Sequence, residues 1–216
     1  YIHQFFTNGN LHAIGLFWKK VNDLQIDNEL KNALYAIGTG VMMGLSKLQR
    51  YRMFSGFPNM LLSGTLYIGS TVREWNALDW MGGKLKSLVR LKCKTSQFSG
   101  NDTCISTMSS AELTKVMPAD SVDYIFTDPP FGGNLNYSEL SSMWEAWLGA
   151  MTANKDEAII NDVQQKKLGD YQDLMQACFE QFYRVLKPDH WITIEFHNSH
   201  NSVWNALSES LMRVGF

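Results

Sequence analysis

The stretch VDYIFTDPPFGGN, residues 122–134, determines the interpretation of this chain. Its apolar first half, Val122–Thr127, predicts a buried β-strand. The strand is followed by an acid, two prolines, an aromatic residue and two glycines. Because ligands of open α/β sheets bind at the carboxyl ends of the strands, we expect Asp128-Pro129-Pro130-Phe131 to lie in a binding site.

The residue types of this tetrapeptide suit a reaction of an exocyclic amine, whose lone pair is conjugated into its ring and is therefore weakly nucleophilic. The Asp128 carboxylate and the Pro129 carbonyl can accept the two amino hydrogens and favour a tetrahedral nitrogen. Pro129 and Pro130 restrict the backbone, so the acceptors are positioned before the substrate binds. Phe131 can stack on a base turned out of a duplex, a contact of about 1–3 kcal/mol. The alternative is a proline-rich turn in which Asp128 caps the following helix.

The second half of the chain alternates short apolar runs with a helical pattern. Residues 104–108, 122–127 and 191–196 predict strands, and residues 171–186 predict a helix that ends at a turn over residues 187–190. This alternation is typical of an α/β fold with a parallel sheet.

The first half of the chain predicts helices instead. Apolar residues recur at helical spacing over residues 10–22 and 27–51, whereas residues 54–83 predict irregular structure. Residues 83–94 predict a basic helix or an edge strand. We therefore divide the chain into a mostly helical, basic insertion or accessory segment, residues 1–94, and a partial catalytic segment, residues 95–216.

The charges are distributed unevenly between these segments. Residues 1–94 carry 12 Lys and Arg against 5 Asp and Glu, a net charge of +7, and residues 95–216 carry 7 against 16, a net charge of −9. A basic segment suits phosphate groups, although such charges are also typical of a solvated surface. The three cysteines are isolated, so we expect neither a disulfide framework nor a metal site. No apolar span or leader pattern is present, and we expect a cytoplasmic protein without a membrane partner.

The tetrapeptide and its surroundings resemble the amino-methylating DNA methyltransferases, which act on adenine N6 or cytosine N4. The similarity covers roughly residues 102–216, and residues 109–123 look like the third strand of that family and the approach to its catalytic strand. Residues 184–196 look like the next helix, turn and strand. Residues 134–140, with Trp144 and Trp147, are most similar to large bacterial adenine-specific DNA methylases.

This resemblance implies that the chain is part of a Rossmann-like methyltransferase fold that uses S-adenosylmethionine to methylate the exocyclic amine of adenine or cytosine in DNA. Its implied partners are DNA and restriction or defence-system subunits. The implied catalytic residues are Asp128, Pro129, Pro130 and Phe131. The implied cofactor-binding residues are Ser109, Asp128 and Phe196, and the implied substrate-binding residues are Phe131, Asn134 and Tyr137.

One motif of the family is not found, namely an acidic residue and a Phe-x-Gly-x-Gly turn after the first strand. Residues 37–40, IGTG, lie within a helical pattern, and we interpret their glycines as a helix-packing site. We expect the cofactor loop to lie upstream of Tyr1, in a longer protein. Trp144 and Trp147 are expected to pack in a core or an interface.

Two other functions remain open at this point. RNA methyltransferases that act on the guanine exocyclic amine also use an Asp-Pro-Pro-aromatic turn. A non-catalytic nucleic-acid-binding module would explain the missing cofactor loop. Protein-glutamine methylation fits less well, because that family resembles Asn-Pro-Pro-Tyr and this chain has Asp128.

Overall fold

The computed structural model describes residues 1–49, 65–95 and 103–216. These residues form six α-helices and a pair of parallel strands, an α/β protein as predicted. Contacts divide the chain into two units, Tyr1–Thr103 with Glu139–Thr152, and Cys104–Ser138 with Ala153–Phe216. The observed boundary therefore lies beyond the predicted one at residue 94. In addition, residues 139–152, predicted within the catalytic segment, pack with the first unit.

The first unit contains helices α1 (Asn8–Asp23), α2 (Asn28–Leu45) and α3 (Ala77–Thr95), together with most of α4 (Tyr137–Leu148). The Thr7 hydroxyl accepts a hydrogen bond from the Asn10 backbone N–H at 3.3 Å and caps α1. The Asp27 carboxylate accepts one from the Leu30 N–H at 2.8 Å and caps α2. The first predicted helix is confirmed.

Helix α2 ends earlier than predicted. The Ser46 hydroxyl donates to the Met43 carbonyl at 2.8 Å, and the Lys47 N–H donates to the Phe5 carbonyl at 2.7 Å. These bonds replace the helical pattern after Leu45. Residues 50 and 51, the last of the predicted helix, lie outside the described residues.

Helix α3 also differs from its prediction. Asn76 caps it, since its side-chain oxygen accepts hydrogen bonds from the backbone N–H groups of Leu78 and Asp79 at 2.9 and 3.3 Å. The helix therefore begins at Ala77, and the prediction of irregular structure through residue 83 was wrong. Of the two alternatives for residues 83–94, the structure shows the helix.

The core of the first unit contains residues of α1, α2, α3 and α4. Its helical side chains that are at most 5 % exposed are Ile14, Trp18, Val41, Met42, Leu45 and Met143. Trp147 stacks on Trp18 with ring centroids 6.4 Å apart, and the Trp144 indole N–H donates to the Thr39 carbonyl at 3.0 Å. Trp144 and Trp147 thus have the packing role expected of them.

Glycines of α2 allow the neighbouring helices to approach closely. A methyl group at Gly38 would lie 2.9 Å from Phe17 and 3.0 Å from Trp18 of α1. On α3, the Lys84 side chain lies over Gly40 and the Trp80 ring lies over Gly44. The interpretation of residues 37–40 as a helix-packing site is confirmed.

Gly44→Ala is expected to lower the free energy of unfolding by about 1–3 kcal/mol, because the new methyl group would overlap the Trp80 ring. This loss outweighs the gain in helix propensity of about 1 kcal/mol. Gly82→Ala is the matched control, since Gly82 lies within α3 and faces open space. The control should stabilise the protein by about 0.5–1 kcal/mol in urea unfolding. Stabilisation by both substitutions would contradict the close approach.

The second unit contains two parallel strands, β1 (Val122–Thr127) and β2 (Leu186–Ile194), and helices α5 (Leu168–Val185) and α6 (Asn201–Val214). Strand β1 is confirmed where it was predicted, but none of its residues is buried, so the prediction of a buried strand was wrong. Strand β2 begins earlier than predicted, but its regular pairing with β1 starts only at Trp191, opposite Tyr124. The intervening residues 187–190 contain Asp189 with φ of 60° and correspond to the predicted turn.

One face of this strand pair packs against α5 and α6. Ile194 and Phe196 contact a core formed by buried Tyr171, Met175, Phe179, Val203 and Leu207. On the opposite face the aromatic side chains are exposed, with Phe126 at 60 % and Trp191 at 78 %. Within the described part of the chain the sheet has two strands, so a Rossmann-like sheet stays a prediction.

Two strand assignments before β1 were wrong. Residues 104–108 are not paired in a sheet, and Ile105 is 91 % exposed, so burial does not favour a strand there. Ser110–Lys115, which resembled a third strand, is a 3-10 helix. The Ser109 hydroxyl accepts a hydrogen bond from the Ala111 N–H at 3.3 Å and turns the chain into this helix. The helix packs on α5, where the Thr114 N–H donates to Gln181 at 3.1 Å.

None of the helices in the described part of the chain is long and apolar enough to cross a bilayer.

Candidate functional site

The Asp-Pro-Pro-Phe segment lies at the carboxyl end of β1. The Thr127 carbonyl at the end of β1 accepts a hydrogen bond from the Glu195 N–H, directly after β2, at 2.9 Å. This bond joins the ends of the two strands, so residues 128–134 and 196–200 leave the sheet at the same edge. That edge is where the sequence predicted a binding site.

Two buried side chains hold the backbone of the segment. The Tyr171 hydroxyl of α5 donates to the Pro130 carbonyl at 2.7 Å, and the Asn198 side-chain amide donates to the Phe131 carbonyl at 2.8 Å. Tyr171 is 0 % exposed and Asn198 is 7 % exposed. Burial raises the pKa of Tyr171 well above its usual value, so its hydroxyl stays protonated as a donor. The segment is therefore fixed from a helix on one side and a loop on the other.

Asn198 is itself fixed by the start of α6. Its side-chain oxygen accepts a hydrogen bond from the His200 N–H at 2.7 Å, and its backbone carbonyl accepts one from the Trp204 indole N–H at 2.9 Å. The first of these bonds directs the amide nitrogen toward Phe131. The orientation of the segment thus depends on the loop after β2 as well as on β1.

Three aromatic rings meet beside the segment. Phe131 packs edge-to-face on Phe196, with ring centroids 5.4 Å apart at 87°, and Phe196 packs in the same way on Trp204 at 4.9 Å and 88°. Phe131 and Phe196 are only partly buried, and Trp204 is 40 % exposed. Part of this aromatic surface is accessible to a flat ligand.

The glycines after Phe131 are required by the geometry. Gly132 has φ of +66°, and a methyl group there would lie 3.2–3.3 Å from Val203, Asn198 and Ile160. Its carbonyl also accepts a hydrogen bond from the Ile160 N–H at 3.3 Å. The turn therefore packs closely on the loop that contains Ile160.

Asp128 and Tyr137 lie together at this edge. Burial raises the pKa of Tyr137, the Phe131 N–H lowers it, and the negative charges of Asp128 and Glu157 raise it further. Asp128 is exposed, and within the described residues neither its carboxylate nor the Pro129 carbonyl receives a hydrogen bond. Glu157 accepts hydrogen bonds from the N–H and hydroxyl of Ser138 at 2.8 and 2.6 Å.

The structure brings together most of the residues predicted from the sequence. These residues are Asp128, Pro129, Pro130, Phe131, Tyr137 and Phe196. Asn134 is exposed in the turn after the glycines, where its backbone N–H lies 3.5 Å from the Phe131 carbonyl. Ser109 lies on a separate element and its hydroxyl caps the 3-10 helix. The catalytic, cofactor-binding and substrate-binding roles of all these residues stay predictions.

The exposed carboxylate of Asp128 and the partly buried Phe196 ring fit S-adenosylmethionine, which carries a positive sulfonium and a flat adenine. A carboxylate attracts the cation, and an aromatic ring can pack on the adenine. Both side chains lie at the same edge of the sheet, next to Phe131. Asp128 and Phe196 would hold S-adenosylmethionine at this edge. The position of Ser109 adds no contact to S-adenosylmethionine.

Sequence reasoning missed Tyr171 and did not assign Asn198 a role. Tyr171 falls on the same face of α5 as buried Met175 and Phe179, so the pattern indicates only a core residue. Asn198 lies in the loop after β2, and its burial has no signal in the sequence. A polar residue after a strand is the one hint that could have selected it.

Tyr171→Phe is expected to lower the free energy of unfolding by about 1–3 kcal/mol, because it removes the donor to the Pro130 carbonyl and keeps the ring. Tyr183→Phe on the same helix is the matched control, since Tyr183 is 50 % exposed and its hydroxyl donates no hydrogen bond to the core within the described residues. The control should change stability by less than about 0.5 kcal/mol. Equal effects of the two substitutions in urea unfolding would show that the Tyr171 bond contributes nothing.

Comparison with known proteins adds no relative. The chain matches no protein-family model, no curated protein and no solved structure. Its function must therefore be inferred from the residues and geometry of the edge formed by β1 and β2.

Proposed function

We propose that this chain transfers the methyl group of S-adenosylmethionine to the exocyclic amine of adenine or cytosine in DNA. The two strands would then belong to a Rossmann-like sheet, with the Asp-Pro-Pro-Phe segment at its ligand-binding edge. Adenine N6 is our first choice of acceptor, because the segment after Phe131 resembles adenine-specific enzymes.

The proposal rests on one observation, namely that some hydrogen-bond acceptors of the segment have a donor in the protein and others have none. The Pro130 and Phe131 carbonyls are occupied by Tyr171 and Asn198, whereas the Asp128 carboxylate and the Pro129 carbonyl have no donor within the described residues. Two adjacent acceptors on a fixed backbone match the two hydrogens of an amino group. A helix cap, the alternative role of Asp128, would occupy the carboxylate with backbone N–H groups.

The residues of the chain would act mainly by position and charge. The Asp128 carboxylate and Pro129 carbonyl accept hydrogen bonds from the amine, and so direct its lone pair away from the ring and increase its nucleophilicity. When bound, S-adenosylmethionine would supply an electrophilic methyl group on sulfur and leave as S-adenosylhomocysteine, and the methylated amine would release one proton to water. Since Tyr171 and Asn198 hold the backbone, the acceptors need little reorganisation during the reaction. Phe131 holds the base by stacking after it leaves the duplex.

Tritiated S-adenosylmethionine, incubated with the protein and duplex DNA of mixed sequence, tests the proposal. We expect label in DNA, and nucleoside analysis should find it on adenine N6 or cytosine N4. Label in RNA at guanine N2, with none in DNA, would replace the substrate by RNA. Binding of DNA without label in either polymer would favour a non-catalytic module.

A further inference from the structure

Helix α3 has one side fixed against α2. Trp80 and Lys84 lie over Gly44 and Gly40, and the Lys92 ammonium forms an ion pair with Glu29 at 2.9 Å. The glutamate raises the pKa of Lys92. These contacts set the rotation of the helix about its axis.

The rotation leaves a row of cations on the outer side of α3. Lys86, Arg90 and Lys94 follow one another at intervals of four residues, which places them about 6 Å apart along one side of the helix. All three side chains are exposed. Within the described part of the chain none of the three forms an ion pair, and the acid of α3, Asp79, lies in its first turn. We call these three residues the α3 basic row.

The basic row is unfavourable for an isolated helix. Like charges four residues apart destabilise a helix by about 0.2–0.5 kcal/mol per pair, and the row contains two such pairs. The helix dipole favours cations only in the last turn, so it compensates Lys94 more than Lys86. An external anion with repeated charges would remove the repulsion along the whole row.

We propose that the α3 basic row binds the phosphate backbone of DNA. The choice of DNA rests on the proposed methyl-transfer function. Each strand of a duplex carries a phosphate about every 3.4 Å of helix axis, so side chains about 6 Å apart can contact phosphates along one strand. The net charge of +7 over residues 1–94 adds a longer-range attraction to the same polyanion.

The matched variants Lys86→Gln/Arg90→Gln and Lys19→Gln/Lys20→Gln test this surface. Each pair removes two exposed charges, the first from the basic row and the second from α1, and glutamine has a helix propensity close to that of lysine. Binding of a fluorescent DNA duplex is measured against salt concentration. For the basic-row variant we expect weaker binding to all sequences, and a slope of log K against log salt smaller by about 2. The α1 variant should keep the wild-type slope.

Several outcomes would overturn the proposal. One is an unchanged slope in the basic-row variant, and another is the same loss in both variants, which would reflect net charge alone. Absence of DNA binding by the wild-type protein would also overturn the proposal. So would a basic-row variant that loses binding to anionic lipid vesicles but keeps the DNA binding of the wild type. Methyl transfer is measured separately. If the wild-type protein transfers methyl groups but the basic-row variant keeps the wild-type salt slope, only the role of the basic row is refuted. If the variant has a reduced slope but the wild-type protein transfers no methyl groups, only the proposed reaction is refuted.

Discussion

Asp128→Ala is expected to lower the rate of methyl transfer to DNA by at least about a hundredfold, with little change in unfolding midpoint or DNA affinity. The carboxylate is exposed and has no hydrogen-bond donor within the described residues, so its removal breaks no bond of the folded protein. The amine loses one of its two acceptors, and its lone pair stays conjugated with the ring. Single-turnover transfer of tritiated methyl groups measures the effect.

Two further variants make this experiment specific. Asp128→Asn keeps one side-chain oxygen as an acceptor and should retain more activity than Asp128→Ala. Asp123→Ala removes another exposed acid from β1, one whose pKa is lowered by its hydrogen bond with Lys187, 2.5 Å away, and should leave transfer near the wild-type rate. If Asp128→Ala unfolds the protein as much as it slows transfer, the catalytic role of Asp128 is lost.

Phe131→Ala is expected to reduce kcat/KM for DNA by about 10- to 100-fold. The reason is the loss of a stacking contact of about 1–3 kcal/mol with the base outside the duplex. The affinity of the protein for a DNA duplex, measured by binding alone, should fall less than kcat/KM, because phosphate contacts dominate this affinity. A 2-aminopurine at the target position reports the change directly, since its fluorescence depends on stacking.

The design of the Phe131 experiment needs an aromatic and a positional control. Phe131→Tyr keeps a ring and should stay within a few-fold of wild type. Phe126→Ala removes an exposed ring from the face of β1 turned away from the α5 and α6 core, and should not change the 2-aminopurine signal. An equal loss in Phe131→Ala and Phe126→Ala would indicate a general effect on β1 rather than stacking.

Several elements could be predicted because their signal is local. Strand β1 and helix α1 follow from the spacing of their apolar residues. The predicted start of helix α3 was too late in the chain, because Gly82 and Gly83 weaken a helical pattern. Packing of Trp80 and Lys84 on α2 outweighs that weakness, and neither contact is visible in the sequence of α3 alone.

The candidate site could be predicted only in part for a related reason. The Asp-Pro-Pro-Phe segment is contiguous and follows a strand, so its position at the edge of the sheet could be expected. The donors that fix it come from Tyr171 and Asn198, 41 and 67 residues away from the carbonyls they bind. Periodicity gives no information about such pairings, and Tyr171 has the same spacing as its apolar neighbours on α5.

The pairing of β1 with β2 has a consequence for the order of folding. The two strands are separated in the chain by α4 and α5, and pairing them requires closure of a long loop. Helices form from neighbouring residues and can appear earlier, whereas distant parallel strands pair slowly. The segment from Asp128 to Phe131 is complete only when α5 and the loop after β2 are both in place. In refolding, helical circular dichroism should therefore recover before the environment of Trp204, which makes that indole a reporter of the last step.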